Sequence, residues 1–585
     1  MIVPMKCVTV LCFGADRDAS LSALRELGVL HLSPFQETEG ADVEKERERL
    51  GGIQRALLQL PSLTAGTTGG ELSIDAVVAE VDDLTRRRSA LDAEQLRLQR
   101  EIERTLPFGQ FDPAQIQALA REGVHLKLLS IPKGKSFEAP DSAAVVELGE
   151  GKDARRAAVV SQAPVDAGGL EFHPPAHGIG EMQSALESIA SQRTACDTRL
   201  ADLAARRAQL ERALVVAEEK IAFLEARTGM GDSGVVGYVR GYCPEDCATR
   251  VAEASAQHGW AVVIDDPKPG DPVPTMMKNT WWVRPIRAVF DAIGILPGYE
   301  EIDISAVFML FFSVFFAMLV GDAGYGALFL IMTIVARRRF RDAPPAPVVL
   351  LYVMSIATMV WGVLTGTYFG LSNLPAPLRE LKIDWLGNER NIMLLCFVIG
   401  ALHLSVAHAW NAWRSRTTLQ ALAQLGWIGT TWTMYFIART MVLGEAYPAV
   451  VTWVFALSVI AIVLFMTPVN LLKHEWFNHV MLPLSLVSNF VDVVSYLRLF
   501  AVGTASFAVA ASFNDMALAG VKGLGTGLIA ALILFFGHAL NILLSAMGVL
   551  VHGVRLNTLE FSSHIGMQWT GFPYRPFQKN ENRRH

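Results

Sequence analysis

The stretch Trp476–Phe513, WFNHVMLPLSLVSNFVDVVSYLRLFAVGTASFAVAASF, is 38 almost unbroken apolar residues with an arginine, Arg498, near its middle. A second such stretch, Leu524–Leu559, is 36 residues long and carries Arg555 toward one end. Straight helices of these lengths would exceed roughly 50 Å, against a hydrocarbon core of roughly 30 Å. They must tilt, bend or leave the bilayer. A guanidinium at the bilayer centre costs at least about 2.5–3.5 kcal/mol and cannot escape by losing its proton. A snorkelling anchor is the competing reading of Arg555, which lies near a helix end. It suits Arg498 poorly. A fixed cation in such a place favours the ionised form of a carboxylate that exchanges its proton. No acid in this chain is evident beside Arg498: Asp492 lies nearly two helical turns away, near an expected water path. The partner carboxylate is therefore expected on another protein.

Working outward, further apolar runs fall near Ile302–Val320, Ala323–Ala336, Val348–Phe369, Ile392–Trp413, Leu422–Ile437 and Val450–Leu471. The first two are separated only by Gly321-Asp322 and can be read as one kinked span or two short ones. Basic clusters decide between them: Arg337–Arg341, Arg414 with Arg416, Lys473, and Arg583-Arg584. With a turn at Gly321–Gly326, all four fall on the side of the N-terminal half. The positive-inside tendency then predicts about eight spans with both termini cytoplasmic. Trp281–Ile302 reads as an interfacial helix leading into the first span.

Composition agrees. The chain has 585 residues, 51% hydrophobic and only 18% charged, with mean hydropathy +0.32. From Trp281 onward there are 20 Lys and Arg against 15 Asp and Glu, a net of +5, whereas residues 1–280 carry 31 against 42, a net of −11. An acidic module thus precedes a membrane module. A basic nucleic-acid binder, a disulfide-rich secreted domain and a disordered chain are excluded. The six cysteines are scattered without zinc-site spacing and read as reduced structural thiols.

The N-terminal half reads as strand–helix–strand over Met5–Phe35. Long Ala/Leu/Glu/Arg-rich segments follow at Val43–Leu60, Ile74–Leu106 and Ile179–Thr228. In the last, Leu186, Ile189, Leu200, Leu203, Leu210, Leu214 and Ile221 form a helical stripe that seeks a partner helix. As one helix of 50 residues it would span roughly 75 Å. Short strand-like runs lie within Gly123–Pro164. Val235–Val239 and Trp260–Ile264 flank a helix at Pro244–Gln257, a second small α/β unit. The expected architecture is mixed: N-terminal cytosolic α/β lobes joined by a long antiparallel coiled-coil arm (1–280), an interfacial helix and linker (281–303), and an all-α membrane domain of about eight helices, the final two long and tilted (304–585).

Catalytic signals are missing. Gly134-Lys135-Ser136 lacks the upstream glycine of a phosphate-binding loop, which is Leu129 here. His173 and His177 sit in a proline-rich loop with Glu171 as the only adjacent acid, and read as non-ligands. No cofactor is expected. The last long segment carries His538, Asn541, Ser545, His552 and Arg555 at spacings of three, four, seven and three, one helical face, and ends at Glu560. Such a stripe lines an aqueous path or a packing interface. His403 and His408 read as packing or interfacial groups.

Ser495-Tyr496-Leu497-Arg498-Leu499, Gly537-His538-Ala539-Leu540-Asn541 and His552-Gly553-Val554-Arg555-Leu556 together resemble the membrane stator subunit (subunit a or subunit I) of the rotary V/A-type ATPases. Gly321–Gly326, Tyr574–Phe577, Gly241–Pro244, Pro274–Asn279 and Pro297–Asp303 resemble further signatures of that family, so the likeness covers the whole chain. The compact size and tail are similar to the prokaryotic branch. The resemblance implies a non-catalytic subunit in the cell (inner) membrane of a prokaryote, whose last two helices embrace a proteolipid c-ring. Arg498 would draw ring carboxylates into the charged form, assisted by Arg555. Asp492, Ser506, His538, Asn541, Ser545, His552 and Glu560 are the candidate half-channel residues. Implied partners are the ring, the peripheral-stalk subunits E/G, the lipid bilayer and, as a further candidate, a central-stalk d/C-type subunit, with no nucleic acid and no metal. Ser506 and Ser545 stand where eukaryotic members carry His and Glu, and Ile304-Ser305 replaces a common Pro-Thr. The alternatives are a secondary transporter with Arg498 binding an anionic substrate, and a membrane-tethered coiled-coil scaffold. The first predicts inverted repeats, which the sequence does not display. The second needs no mid-membrane arginine. The ion the resemblance implies is H⁺ or Na⁺.

Overall fold

The computed structural model describes residues 1–35, 40–61, 73–132, 142–150, 154–165, 171–341, 343–371, 375–468, 473–519 and 524–579. Gly134-Lys135-Ser136 and Arg583-Arg584 lie outside them. The chain divides into two compact units, one of Thr9–Gly241, Arg250–Val263 and Phe577–His585, the other of Met1–Val8, Tyr242–Thr249 and Ile264–Pro576.

Up to residue 265 the elements are β1 (Met5–Phe13), α1 (Arg17–Leu27), β2 (His31–Ser33), α2 (Ala41–Gln59), α3 (Ile74–Thr105), α4 (Pro113–Arg121), β3 (His125–Pro132), β4 (Ala143–Glu150), β5 (Ala154–Ser161), β6 (Glu171–Phe172), α5 (Ile179–Ala204), α6 (Arg207–Thr228), β7 (Gly231–Asp232), β8 (Val236–Pro244), α7 (Ala248–His258) and β9 (Ala261–Asp265). One sheet runs β2-β8-β1-β9, with β7 on β8. The expectation of two separate lobes from the early and late α/β pieces is corrected here, because their strands interleave. Gly241 allows it, since a Cβ there would lie 2.5 Å from His31 O. The second sheet, β4-β5-β3-β6, comes from the middle segment, with β3 and β5 antiparallel from His125↔Ser161 to Pro132↔Ala154.

α3 pairs with α5 and α2 with α6. Partner numbers fall in one helix as they rise in the other, so the first pair is antiparallel: Arg199 Nε lies 2.7 Å from Glu80 and Arg193 Nε 3.1 Å from Asp92. These exposed ion pairs are worth roughly 0–1 kcal/mol each. The apolar seams, Leu98 with Ile179, Met182 and Ile189, and Ile53 and Ala56 with Leu210 and Ala217, contribute more. The expected single helix over Ile179–Thr228 is broken at Ala205-Arg206. The break coincides with the change of partner. Arg207 Nη1 there donates to Leu57 O at 3.2 Å and Leu60 O at 3.4 Å, satisfying carbonyls at the end of α2.

The second unit carries α8 (Arg287–Ile293), α9 (Ser305–Val320), α10 (Ala323–Arg339), α11 (Pro345–Thr365), α12 (Ala376–Arg379), α13 (Glu389–Arg414), α14 (Gln420–Leu443), α15 (Ala449–Phe465), α16 (Trp476–Ser495), α17 (Leu497–Ala519), α18 (Leu524–Gly548) and α19 (Ser562–Ile565). The interfacial helix expected over Trp281–Ile302 is only the short α8, with Trp281 exposed before it. Among the described residues, four helices are long and apolar enough to cross a membrane, or up to five if α9 and α10 are one bent span. The bend between those two is 118°. α16–α17 and α18–α19 form continuous spans of 44 and 41 residues, the two long final helices expected from the sequence. A core of Phe308, Phe312, Phe315, Phe397, Tyr496 and Phe561 ties the bundle together.

Every residue of Gly321–Gly326 has a use at the bend. Gly321 ends α9 with φ +70° and Asp322 caps α10, its Oδ1 accepting from Gly324 N at 2.7 Å and Tyr325 N at 3.2 Å. Asp322 Oδ2 also accepts from Gly370 N at 3.2 Å. Cβ atoms at Gly324 and Gly326 would meet the Phe369 ring at 2.4 Å and Met359 N at 2.6 Å. Ala323 reaches the facing helix at Gly362, where a Cβ would lie 2.0 Å from Ala323 N. This close packing leaves Tyr325 directed at α18.

Candidate functional site

Arg498 is the second residue of α17, just past the short interruption at Tyr496 that separates it from α16. Its Nη1 donates to Glu560 Oε1 at 3.3 Å. Arg555 Nε lies 3.4 Å from the same oxygen, and Ser495 Oγ also lies 3.4 Å away. Glu560 is 4% exposed, Arg498 28% and Arg555 51%. Glu560 Oε2 is buried and has no hydrogen-bond partner among the described residues. The expectation that no acid of this chain neutralises Arg498 is therefore corrected: Glu560, expected as a half-channel residue at the end of the last helix, is its counter-ion. Beside Arg498 an open groove of about 420 Å³ is lined by Phe490, Val491, Val494, Leu497 and Ala501. The guanidinium thus sits between an internal carboxylate and an apolar, open surface.

The geometry of the last helix explains why the pairing of Glu560 with the arginines was missed. After α18 the chain runs through two π-helical stretches, Val549–Gly553 and Leu556–Phe561. Their i→i+5 hydrogen bonds bring residues five apart onto one side, which is the spacing of Arg555 and Glu560. The single face expected for His538, Asn541, Ser545, His552 and Arg555 does not survive these turns. Asn541 and Ser545 are buried, His538 and His552 half-buried, and Arg555 exposed, while Asn557 and Glu560 take the buried positions.

Two polar networks flank the Arg498–Glu560 pair along the Trp476–Ala519 span. Toward the end of α17, Tyr325 Oη lies 2.7 Å from His538 Nδ1 and accepts from Asn541 Nδ2 at 3.0 Å. Ser506 Oγ donates to Asn541 Oδ1 at 3.2 Å and lies 3.1 Å from Ser545 Oγ. Asn514 Oδ1 is 3.2 Å from His538 Nε2, and Asn514 Nδ2 donates to Phe369 O at 2.6 Å. Four predicted residues, Ser506, His538, Asn541 and Ser545, therefore meet, joined by Tyr325 and Asn514, which the sequence reading passed over. The sequence signal for Tyr325 was its place in Gly321–Gly326, read as a turn and a family signature but not as part of the polar site.

Toward α16, Asp492 Oδ2 lies 3.1 Å from His564 Nε2. His564 Nδ1 is 2.8 Å from His408 Nε2, and His408 Nδ1 is 2.8 Å from Gln424 Oε1. His403, the other histidine of α13, is fully buried, 2.7 Å from Tyr496 Oη and stacked on Phe561. Among the described residues no group of three or more His, Cys, Asp or Glu is placed to hold a metal ion.

No protein-family model matches the chain. Among curated proteins, the V-type ATP synthase subunit I 1 of Treponema pallidum (strain Nichols) is 31% identical over 99% of this chain and 100% of its own length. The V-type ATP synthase subunit I of Borreliella burgdorferi is 35% identical over 58% of this chain and 60% of its own. The A-type ATP synthase subunit I of Methanocaldococcus jannaschii is 23% identical over 69% and 64%. A crystal structure titled as the cytoplasmic N-terminal domain of subunit I, homolog of subunit a, of V-ATPase aligns with 44% of this chain and 99% of its own at TM-score 0.24 and 14% identity, too remote to bear on the fold. Near-complete coverage of both chains at 31% identity, on top of an arginine pair in an apolar bundle, places this chain in the V-type ATP synthase subunit I family.

Proposed function

We propose that this chain is the non-catalytic membrane stator of a prokaryotic rotary V/A-type ATPase, carrying H⁺ or Na⁺ at an interface with a proteolipid ring. The observation that carries the reading is Arg498, held from inside by Glu560 and open on its other side to an apolar groove. A ring carboxylate arriving in that groove meets a cation that favours its ionised form. The last span supports the ring interface: only 11% of the most apolar window of Gly525–Ile565 is buried within the chain, although polar residues are embedded in its inner face. Arg555 assists from the second helix.

The two polar networks serve as half-channels, one through Asp492, the other through His538, Asn541, Ser506 and Ser545. Glu560 sits between them as the internal counter-ion, with His552 beside it on the helix. Residues 1–280 act as a cytosolic arm, the paired helices forming its coiled coil, and bind peripheral stalks of the E/G type and a central-stalk d/C-type subunit. Residues 281–303 are the linker and 304–585 the translocation domain. The polypeptide crosses the inner membrane about eight times with both termini cytoplasmic, which requires α14, α15 and each half of the bent pair to count as spans.

The test is ATP-driven ion uptake in vesicles carrying Arg498→Lys. A lysine keeps the charge but not the two-sided fork of donors. Lost transport with the ring and stalks still co-purifying is the expected result. Normal transport, or no ring bound to the wild-type chain, would overturn the reading.

A further inference from the structure

The chain Asp492–His564–His408–Gln424 draws on α16, α19, α13 and α14, the first two in the arginine-bearing spans, and it runs along one cavity to the edge of a second. One, of about 390 Å³, is bounded by Asp492, Ser488, Ser485, His564, His408 and Gln424. The other, of about 600 Å³, is bounded by Asn411, Arg414, Thr417, Gln420 and Gln424, at the basic end of α13. Gln424 and Trp427 line both, so Gln424 stands at the boundary between them. Each cavity exceeds the roughly 30 Å³ that one liquid water occupies. Ser495 Oγ, which donates to the backbone carbonyl of Asp492 at 2.8 Å, is also 3.4 Å from Glu560 Oε1, and Asp492 lies six residues before Arg498 on the same 44-residue span.

We infer that Gln424, His408, His564 and Asp492 form a proton wire between the Arg414 end of the bundle and the Arg498–Glu560 site, with the Gln424 amide as its switch and H⁺ as the ion carried. The inference rests on the stator reading and names the ion and one path within it.

The hydrogen count supports it. Each of the three links needs one hydrogen. With Gln424 Oε1 toward His408, His408 Nδ1 donates to it and His564 Nδ1 donates to His408 Nε2. The last link is then complete only with a further proton on His564 or Asp492. With the amide turned over, Gln424 Nε2 donates to His408 Nδ1, His408 Nε2 donates to His564 Nδ1, and His564 Nε2 donates to the Asp492 carboxylate. The second arrangement holds one proton fewer. When the Gln424 amide swings off His408 Nδ1, a proton passed by it from the outer cavity bonds to that nitrogen, the protons of His408 Nε2 and His564 Nε2 move one link onward, and Asp492 gains one to pass toward Arg498. Reorientation of the two imidazole rings restores the start. The charged groups around this path are Arg414 at its outer end and Glu560, Arg498 and Arg555 at its inner end; His403 and Tyr496 pack nearby. Hard cations take cages of oxygen ligands, whereas the narrow link here is nitrogen to nitrogen at 2.8 Å.

The experiment uses the assembled complex in vesicles, with proton uptake followed in sodium-free buffer. His564→Ala should lower uptake about tenfold or more, with ring and stalks still co-purifying, and imidazole added to the buffer should restore part of it through the open cavity. If the complex with His564→Ala fails to assemble, Gln424→Met keeps the side-chain volume but has no amide, and the same loss is expected. Wild-type uptake in either assembled variant, or uptake that requires sodium in the wild type, overturns the wire. If Arg498→Lys is inactive in the same vesicles while His564→Ala is normal, the wire alone fails. If both are normal, the stator reading fails with it.

Discussion

Replacing Glu560 by Gln removes the one negative charge that Arg498 and Arg555 share among the described residues, and does so without changing side-chain shape. At 3.3 Å a unit charge pair is worth about 5 kcal/mol at an effective dielectric of about 20. Arg498 is 28% exposed and Arg555 51% exposed, so solvent screening reduces the net competition to about 1–2 kcal/mol. In the stator reading Glu560 and a visiting ring carboxylate compete for the same guanidinium. Without Glu560 the visitor is held more tightly by that amount, and its release slows by about 5- to 30-fold, since 1.4 kcal/mol is tenfold. The assay is ATP-driven uptake in vesicles at matched complex content, with ATP hydrolysis measured in parallel. Uptake should fall several-fold in Glu560→Gln and be partly retained in Glu560→Asp, which keeps the charge on a shorter stem. Uptake within twofold of wild type in Glu560→Gln, with Arg498→Lys inactive in the same preparation, refutes the competition.

Tyr325→Phe strips the hydroxyl shared by His538 and Asn541 and leaves buried Asn541 one partner short, a cost of about 1–3 kcal/mol; thermal unfolding in detergent should shift down and uptake should drop, and an unchanged midpoint would count against the network. Gly362→Leu forces a side chain where even a Cβ would lie 2.0 Å from Ala323 N, so α10 and α11 must separate, at an overpacking cost of 1–3 kcal/mol or more, about the upper end of the usual range; folded yield should fall sharply, and a normal yield would show that the two helices are not this close. Burial pushes the Cys243 thiol up to about 11, so at pH 8 roughly one molecule in a thousand is thiolate there; brief alkylation of the native protein should spare Cys243 and label Cys247, the one cysteine not buried, and equal labelling would contradict the packing.

Arg498 was legible in the sequence because a charge inside 38 apolar residues has no ordinary explanation. The long final helices were legible for the same reason, by length against bilayer thickness. The role of Glu560 as counter-ion was not, because a periodicity of 3.6 residues sets positions 555 and 560 on different faces, and nothing in the local composition announces a π turn. The His564–His408 contact was invisible for a more general reason. It joins residues 156 apart in the chain, and each histidine alone looks like a packing group. The one-sheet arrangement was missed because strand pairing between residues near 31 and near 240 depends on close backbone approach at Gly241, a property of both strands together. The eight-span count rested on charge placement. Length and apolarity by themselves single out fewer helices, since α15 has only 17 residues and α14 carries several threonines and glutamines.

The two π-helical stretches make the C-terminal part of this protein unevenly sensitive to changes in chain length. In an α-helix a lost residue turns everything beyond it by about 100°. Here a single deletion within Val549–Gly553 could be absorbed locally by closing the wide turn into an ordinary one, with the hydrophobic character of the segment untouched. A length change within Leu556–Phe561 cannot be absorbed in that way, because it alters the five-residue interval from Arg555 to Glu560. Chain length in that short segment should therefore be guarded more strictly than the identity of its apolar residues, and libraries that vary length rather than composition are the ones that would expose it.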